Sequence, residues 1–371
     1  MSKVSIVKCE DYTPAAVFNA MSHAITLLGG IERFVRRDSS VLIKPNLLSA
    51  RLPEEAVCTH PEVVRAAVRI VKEAGGRPQI GDSPGNFFTV RDVDAVYEKT
   101  GIKAVADQEG AQLVTFDKVR YVNGYPIAEA VFKASTVISL PKLKTHALTV
   151  MTGAVKNMFG VIPGLFKVEC HRRKPKPEDF AEILLDIYQA RPPQLSIMDG
   201  IVAMEGDGPA AGEPRRVGLL LASSDGVSLD AVVSTLVSLP AHADIVLNSA
   251  RQKGIGEADV EKIEVLGETL EGAAINRFKL PKTARRIGLI PDVLLSFLSR
   301  IIRFAPVIDE ELCRKCGVCK KSCPTDAITI NEKSSLIDSS LCVRCFCCHE
   351  LCPFKAIYIK RNLITRLFWR D

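Results

Sequence analysis

Two short cysteine runs toward the C-terminal end constrain this chain more than any other feature. Cys313-x2-Cys316-x2-Cys319-x3-Cys323-Pro324 recurs as Cys342-x2-Cys345-x2-Cys348-x3-Cys352-Pro353, and together the runs take up eight of the twelve cysteines. Three thiolates at this spacing can grip one face of a cubane 4Fe–4S cluster, while the fourth, carried onto a following helix, reaches across to the other cluster. Each site then draws on both runs: Cys313, Cys316, Cys319 and Cys352 for the first, and Cys342, Cys345, Cys348 and Cys323 for the second. A zinc ribbon needs only four thiolates and gives no reason for the third and fourth Cys of each run. A disulfide framework suits a small secreted scaffold, and a chain of 371 residues is not one. Cys347 is a ninth thiol with no counterpart in the first run. It reads either as a small buried residue or as a redox-sensitive neighbour of a cluster.

The duplication extends past the ligands at a constant offset of 29 residues. Val307-Ile308-Asp309 and Leu336-Ile337-Asp338 precede the runs, and Ala327-Ile328-Thr329-Ile330 and Ala356-Ile357-Tyr358-Ile359 follow them. Each half thus reads as strand, cluster loop, short helix, strand. So small a unit cannot bury enough apolar surface alone, so the halves must pack together around the clusters. The run resembles that of bacterial two-cluster ferredoxins, which implies a small α+β ferredoxin domain over residues 305–360 and electron exchange with a redox partner protein.

With 47% hydrophobic and 25% charged residues, the rest of the chain suits one substantial globular domain. The first eight residues carry charge inside their apolar stretch and form no signal-type core, and no segment approaches the roughly 18 apolar residues of a spanning helix. Cysteines arranged for clusters fit a reducing cytoplasm. The net charge of +6 gives no case for nucleic acid. The excess is uneven: Arg277, Lys279, Lys282, Arg285, Arg286, Arg300 and Arg303 face a single acid, Asp292, in a Pro-punctuated stretch. Residues 269–304 therefore read as a linker. Its apolar segment, Val293 to Ile302, is a helix docked on a domain or one that meets a membrane surface or partner through 277–303. The basic tail 361–371 repeats that mixture.

Residues 1–268 alternate short apolar runs with helical periodicity. Val4–Val7, Val41–Ile43, Gln79–Ile80, Leu113–Phe116, Thr136–Leu140, Leu195–Met198 and Val217–Leu221 read as strands. Pro61–Ala74 is the clearest helix, with Val64, Ala67, Val68 and Val71 on one face and Arg65, Arg69 and Lys72 on the other. This alternation predicts an α/β fold, a mainly parallel sheet covered by helices. Ligands in such folds bind at the carboxyl ends of strands.

Polar clusters sit at those ends. Lys44-Pro45-Asn46, Gly81-Asp82-Ser83-Pro84-Gly85 and Pro141-Lys142-Leu143-Lys144-Thr145-His146 each follow a strand. Gathered in one crevice, their lysines suit an anionic small-molecule substrate, and Asp82 could hold a lysine or a metal. The Gly-rich segment Thr152 to Gly164 carries Lys156 and Asn157, and its turn offers backbone amides to an anion; Lys156 could equally cap a helix end or pair with an acid. It lacks the Walker pattern. The candidate catalytic set is Lys44, Asp82, Lys142, Lys144, His146 and Lys156. Asp199-Gly200 to Gly208-Pro209 is a second Gly-rich stretch, a cation site or a surface loop. Thr59-His60-Pro61-Glu62 reads as a capping box, with His60 a helix-start residue.

Ile43-Lys44-Pro45-Asn46, Gly81 to Gly85, Leu140 to His146, Thr152 to Asn157, and Asp199-Gly200 with Glu205-Gly206 resemble the motif series of the DUF362 domain, often joined to a ferredoxin module. The resemblance covers most of residues 1–268 and implies an iron–sulfur protein with an α/β domain of undefined chemistry. The stretch from His146 to Gly164 also resembles nickel-dependent lactate racemases. Carried over, that likeness makes His146 an acid/base, Lys156 the attachment point of a nickel-pincer nucleotide and His171 a nickel ligand, so that the α/β domain would hold an additional metal or nucleotide. Two classes of function follow: a redox enzyme acting on an anion, or an electron carrier or assembly factor without turnover.

Overall fold

The computed structural model describes residues 1–85, 90–164, 166–174, 176–283, 304–332 and 334–361. The α/β domain contains strands β1 (Ser2–Lys8), β2 (Ser40–Pro45), β3 (Arg77–Ile80), β4 (Gln112–Leu113), β5 (Val119–Val122), β6 (Tyr125–Ala128), β7 (Thr136–Leu140), β8 (Lys142–His146), β9 (Val150–Thr152), β10 (Leu195–Glu205), β11 (Glu213–Ser223) and β12 (Ile263–Gly267). The main sheet runs β12-β1-β11-β10-β7-β2-β3-β4, and β5 and β6 pair separately. Along that path only β11 is antiparallel to its neighbours. The expected mainly parallel sheet is therefore present.

Period-two alternation divides the core between the sheet's faces. Leu42 joins the layer that includes helices Pro177–Ala190 and Gly226–Leu236, while its neighbours Val41 and Ile43 join the layer of helices Pro14–Leu27 and Pro61–Glu73. Arg65 and Arg69, on the outer face of Pro61–Glu73, converge on Glu109 at 2.9 and 2.8 Å. The capping box at its start does not form. His60 Nδ1 accepts from the Glu62 amide, while Thr59 Oγ1 donates to the Leu140 carbonyl at 2.6 Å and ties the helix start to β7.

Most of the polar cluster that follows β7 is itself a strand. Pro141 interrupts β7, and β8 resumes beside β10, with β9 on its other edge. All five of its residues are buried, and alternation sends Lys142, Lys144 and His146 toward one side.

The ferredoxin domain holds β13 (Phe304–Ile308), β14 (Ile328–Ile330), β15 (Ser335–Ile337) and β16 (Ile357–Arg361). β13 pairs with β16 and β14 with β15, so each half completes its sheets with strands of the other. The repeat persists in the backbone. Lys315 and Arg344, Gly317 and Phe346, and Asp326 and Lys355 all take positive φ at the same 29-residue offset. Phe346 and Ile359 are buried in the α/β domain's own core. Residues 269–283, expected to be linker, also pack there: Ala273, Ile275 and Phe278 are buried, and Lys279 pairs with Glu213 at 2.6 Å. The apolar helix expected at Val293 to Ile302 and the tail after 361 lie outside the described residues.

Candidate active site

Strand ends place the polar groups. Lys44, at the end of β2, has no exposed surface, and its Nζ lies 2.7 Å from Asp82 Oδ1 in the loop after β3. The second oxygen of Asp82 accepts from the Leu47 amide, which fixes the chain leaving β2. A side chain at Gly160 would overlap both Asp82 and Lys44, so that glycine is there for close approach. Burial lowers the Lys44 pKa, and Asp82 opposes the shift.

Three more amines point into the same cavity. Among the described residues Lys144 Nζ donates only to the Val57 carbonyl, at 2.5 Å, and burial brings it down to about 8. Lys167 donates to the carbonyls of Ser83 and Pro84, and burial brings it to about 7. Lys156 has no hydrogen bond or ion pair among the described residues; its Nζ stands 6.0 Å from the Phe159 ring centroid. Burial lowers its pKa as well.

His146 accepts the amides of Leu148 and Thr149 at Nδ1, so the proton sits on Nε2, which lies 3.0 Å from Glu350 Oε1. Burial, then Lys156, hold the imidazole down at about 4, and it is neutral at pH 7. His171 stacks on Phe180 at 4.2 Å and is buried, and its Nδ1 has no partner among the described residues. Glu350 comes from the other domain. It lies on the helix Cys347–Leu351 within the second cysteine run, and Cys347, Glu350 and Leu351 close a cavity of about 90 Å³ whose other walls include Lys44, Lys144, Lys156, Lys167 and His171. The Arg51 guanidinium on the Cys352 carbonyl, 3.0 Å, and His349 on the Asp207 carbonyl, 3.3 Å, pin that helix in place.

Lys44, Asp82, Lys144, His146 and Lys156 thus line one cavity, as the strand-end argument expects. Lys142 does not. Its Nζ is held by Asp199 at 2.7 Å and by the Tyr12 hydroxyl at 2.8 Å, under a ring stacked on His60. Two amides of the Gly-rich turn are not open to a ligand either. Ala154 and Val155 donate to the Asp230 carboxylate at 2.6 and 3.0 Å. The acids of the second Gly-rich stretch have basic partners: Glu205 meets Arg215 and Asp207 meets Lys282. Sequence reasoning missed Lys167, Cys347's place in the cavity and Glu350. One signal was present: Val318, Lys320 and Lys321 of the first run become Cys347, His349 and Glu350 in the second.

The cysteines suit the clusters their spacing implies. Cys313, Cys316, Cys319 and Cys352 line one small cavity walled by Ile308, Ile330 and Ile357. The thiols of Cys342 and Cys348 are raised by burial and then by neighbours that include Cys345 and Cys323. Ala327 N–H donates to Cys323 Sγ and Ala356 N–H to Cys352 Sγ, equivalent bonds in the two halves.

Comparison with known proteins agrees with this architecture. Residues 41–235 match the domain of unknown function DUF362, and residues 305–353 match a 4Fe–4S dicluster domain. The chain is 35% identical over 313 residues to the thylakoid-associated protein sll1697 of Synechocystis sp., covering 82% of this chain and 96% of that one. It belongs to the DUF362 family and carries an iron–sulfur domain. Among solved structures, the lactate racemase apoprotein from Thermoanaerobacterium thermosaccharolyticum superposes with a TM-score of 0.40 at 11% identity, over 61% of this chain and 55% of that one. A protein from Thermotoga maritima gives a TM-score of 0.36 at 13% identity, over 59% and 57%. The chain therefore spans little more than half of either structure. His146, Lys156 and His171 do meet in the cavity, but its volume of about 90 Å³ is well below the roughly 300–1,000 Å³ of small-molecule sites and does not fit a nickel-pincer nucleotide.

Proposed function

We propose that the protein is an iron–sulfur oxidoreductase that binds a small anion in the cavity between its α/β and ferredoxin domains. The observation that carries this reading is the helix Cys347–Leu351, which belongs to the second cysteine run and also forms a wall of the lysine-lined cavity. Two 4Fe–4S clusters, held by Cys313, Cys316, Cys319 and Cys352 and by Cys342, Cys345, Cys348 and Cys323, supply or accept one electron each in exchange with a redox partner.

The side chains divide the remaining work. Lys44 is neutralised by Asp82, whose second oxygen holds the loop after β2 in place. Lys144, Lys156 and Lys167 face no carboxylate at ion-pair distance among the described residues, so a bound anion completes their charge balance. His146, neutral and fixed by Glu350, presents a polar rim without adding charge. The described residues include no helix long and apolar enough to cross a membrane. The proposed setting is the cytoplasm, with peripheral membrane contact through the basic segment 277–303.

The test is anaerobic titration of the cluster-loaded protein with small carboxylates and inorganic oxyanions, read by calorimetry and by anion-dependent oxidation of dithionite-reduced clusters. Lys156→Met keeps the side-chain volume and removes the ammonium; removing a charged hydrogen bond worth about 1.5–3 kcal/mol should weaken anion binding roughly 10- to 100-fold, with iron content unchanged. Unchanged binding in that variant would exclude the cavity as the site. Anion binding without any cluster oxidation would favour a carrier or assembly factor.

A further inference from the structure

Two more cavities follow the anion cavity through shared wall residues. The inner one, of about 20 Å³, is lined by Thr152, Lys156, Asp230, Ser234 and Asp244, and is large enough for one water. Thr152 and Lys156 also line the anion cavity, so they form the partition between the two. Ser234 and Asp244 line the inner cavity and also the outer one, whose walls include the exposed residues Arg251, Glu261 and Lys262. Polar side chains therefore stand at every wall between the anion cavity and the surface.

From this arrangement we infer that Asp244, Ser234, Asp230 and Thr152 carry protons from solvent to Lys156 and so into the anion cavity. The inference rests on the redox reading above: a substrate that accepts two electrons also takes up two protons, and Lys156, shared by the walls of the anion and inner cavities, is placed to supply them.

The local chemistry supports such a path. Ser234 Oγ donates to Asp244 Oδ2 at 2.7 Å, and Ser234 stands one helical turn after Asp230 on the same face. Thr152 Oγ1 is buried and has no hydrogen-bond partner among the described residues, which marks a place for a bound water. Lys156 has no ion pair with Asp230, although the two share the inner cavity, so a single water can join them. Burial raises Asp230 to about 7, with Asp244 and Asp225 adding to the rise and the Ala154 and Val155 amides opposing it, while burial lowers Lys156. Asp230 can therefore exchange protons near neutral pH, and Lys156 gives up its proton more readily than an exposed lysine does. In each cycle an Nζ–H bond of Lys156 breaks as the proton passes to the anion. The amine regains a proton from the water, the water from Asp230, and Asp230 from solvent through Ser234 and Asp244, so one solvent proton enters for each delivered.

Protein-film voltammetry of the cluster-loaded protein tests this without a substrate. Because Lys156 lies beside Cys347 in the second cysteine run, reduction there should draw a proton to it, and one reduction wave should depend on pH at slow scan rates. Asp244→Asn keeps the helix cap to Leu247, and Thr152→Val removes a hydroxyl that has no protein hydrogen-bond partner among the described residues. Both should leave the slow-scan potentials near wild type and lower by at least about tenfold the scan rate at which pH dependence disappears, the loss expected when one positioned proton donor is removed. A crossover scan rate unchanged in both variants, or wild-type waves independent of pH, would overturn the path. Oxalate calorimetry separates the two claims: Asp244→Asn should bind oxalate as wild type does, and failure of the wild type to bind any anion would sink the anion reading without touching the voltammetric result.

Discussion

The two cysteine runs are near copies in sequence and opposites in surroundings. In the first, Cys316 is exposed, Cys313 and Cys323 are half-buried and Cys319 is buried; in the second, Cys342 is half-buried and Cys345, Cys348 and Cys352 are buried. At the turn before the short helix the first run has Gly317 with φ 79°, and the second has Phe346 with φ 61°, a bulky side chain in the left-handed region. That conformation costs about 1–2 kcal/mol for an L-residue, and burial of the ring in the neighbouring core offsets it. Duplication thus supplied one half with a cysteine exposed to solvent, and another whose helix became a wall of the lysine-lined cavity.

The largest expected effects come from the cysteines. Cys323→Ser should damage the cluster of the second run although it lies in the first, and iron should fall from about eight to about four per chain. Cys348→Ser should abolish oxalate binding as well, because its helix closes the cavity, whereas Cys316→Ser should change that affinity by less than about twofold. Equal effects of Cys316→Ser and Cys348→Ser on anion binding would erase the distinction between the runs.

A middle-sized effect is expected at Phe346. Phe346→Ala should destabilise the docked helix by about 3 kcal/mol in a denaturant titration. Phe346→Gly should cost about 1 kcal/mol less than Phe346→Ala, because glycine adopts positive φ freely. Alanine being the milder change would show that the left-handed turn stores no strain.

The smallest effect is on pH. A lysine is charged below its pKa, and burial brings Lys167 to about 7 and Lys144 to about 8. Oxalate affinity should therefore be highest near pH 6.5 and fall about tenfold or more as pH rises through 7 to 9. The same depressed values mean that the folded protein binds fewer protons than the unfolded chain up to the ordinary lysine pKa, so these two groups make stability rise with pH from about 7 toward 10.5. Affinity that stayed flat from pH 6.5 to 9 would show that neither amine contributes.

Much of the fold was legible because its signals are local. Cysteine spacing, the 29-residue offset and the helical stripe of Pro61–Glu73 need no knowledge of distant residues, and strand ends correctly gathered Lys44, Asp82, Lys144, His146 and Lys156. What was not legible depends on long-range packing. Lys142 and Lys144 stand two apart on one strand, yet Asp199 and Tyr12, far apart in sequence, claim the first and leave the second to the cavity. Glu350 has no local mark of function and gains one only when the ferredoxin helix docks beside His146. The amides of Ala154 and Val155 look free in sequence until Asp230, some 75 residues on, takes them.

The central claim is that the anion cavity adjoins the second cysteine run and not the first. It is tested most directly by spectroelectrochemical titration of cluster-loaded wild type and Lys156→Met protein at pH 6.5. Removing a positive charge beside one cluster lowers that cluster's potential, so one of two reduction steps should move to more negative values while the other stays in place. Two steps that both hold still, or that move together, would contradict the account.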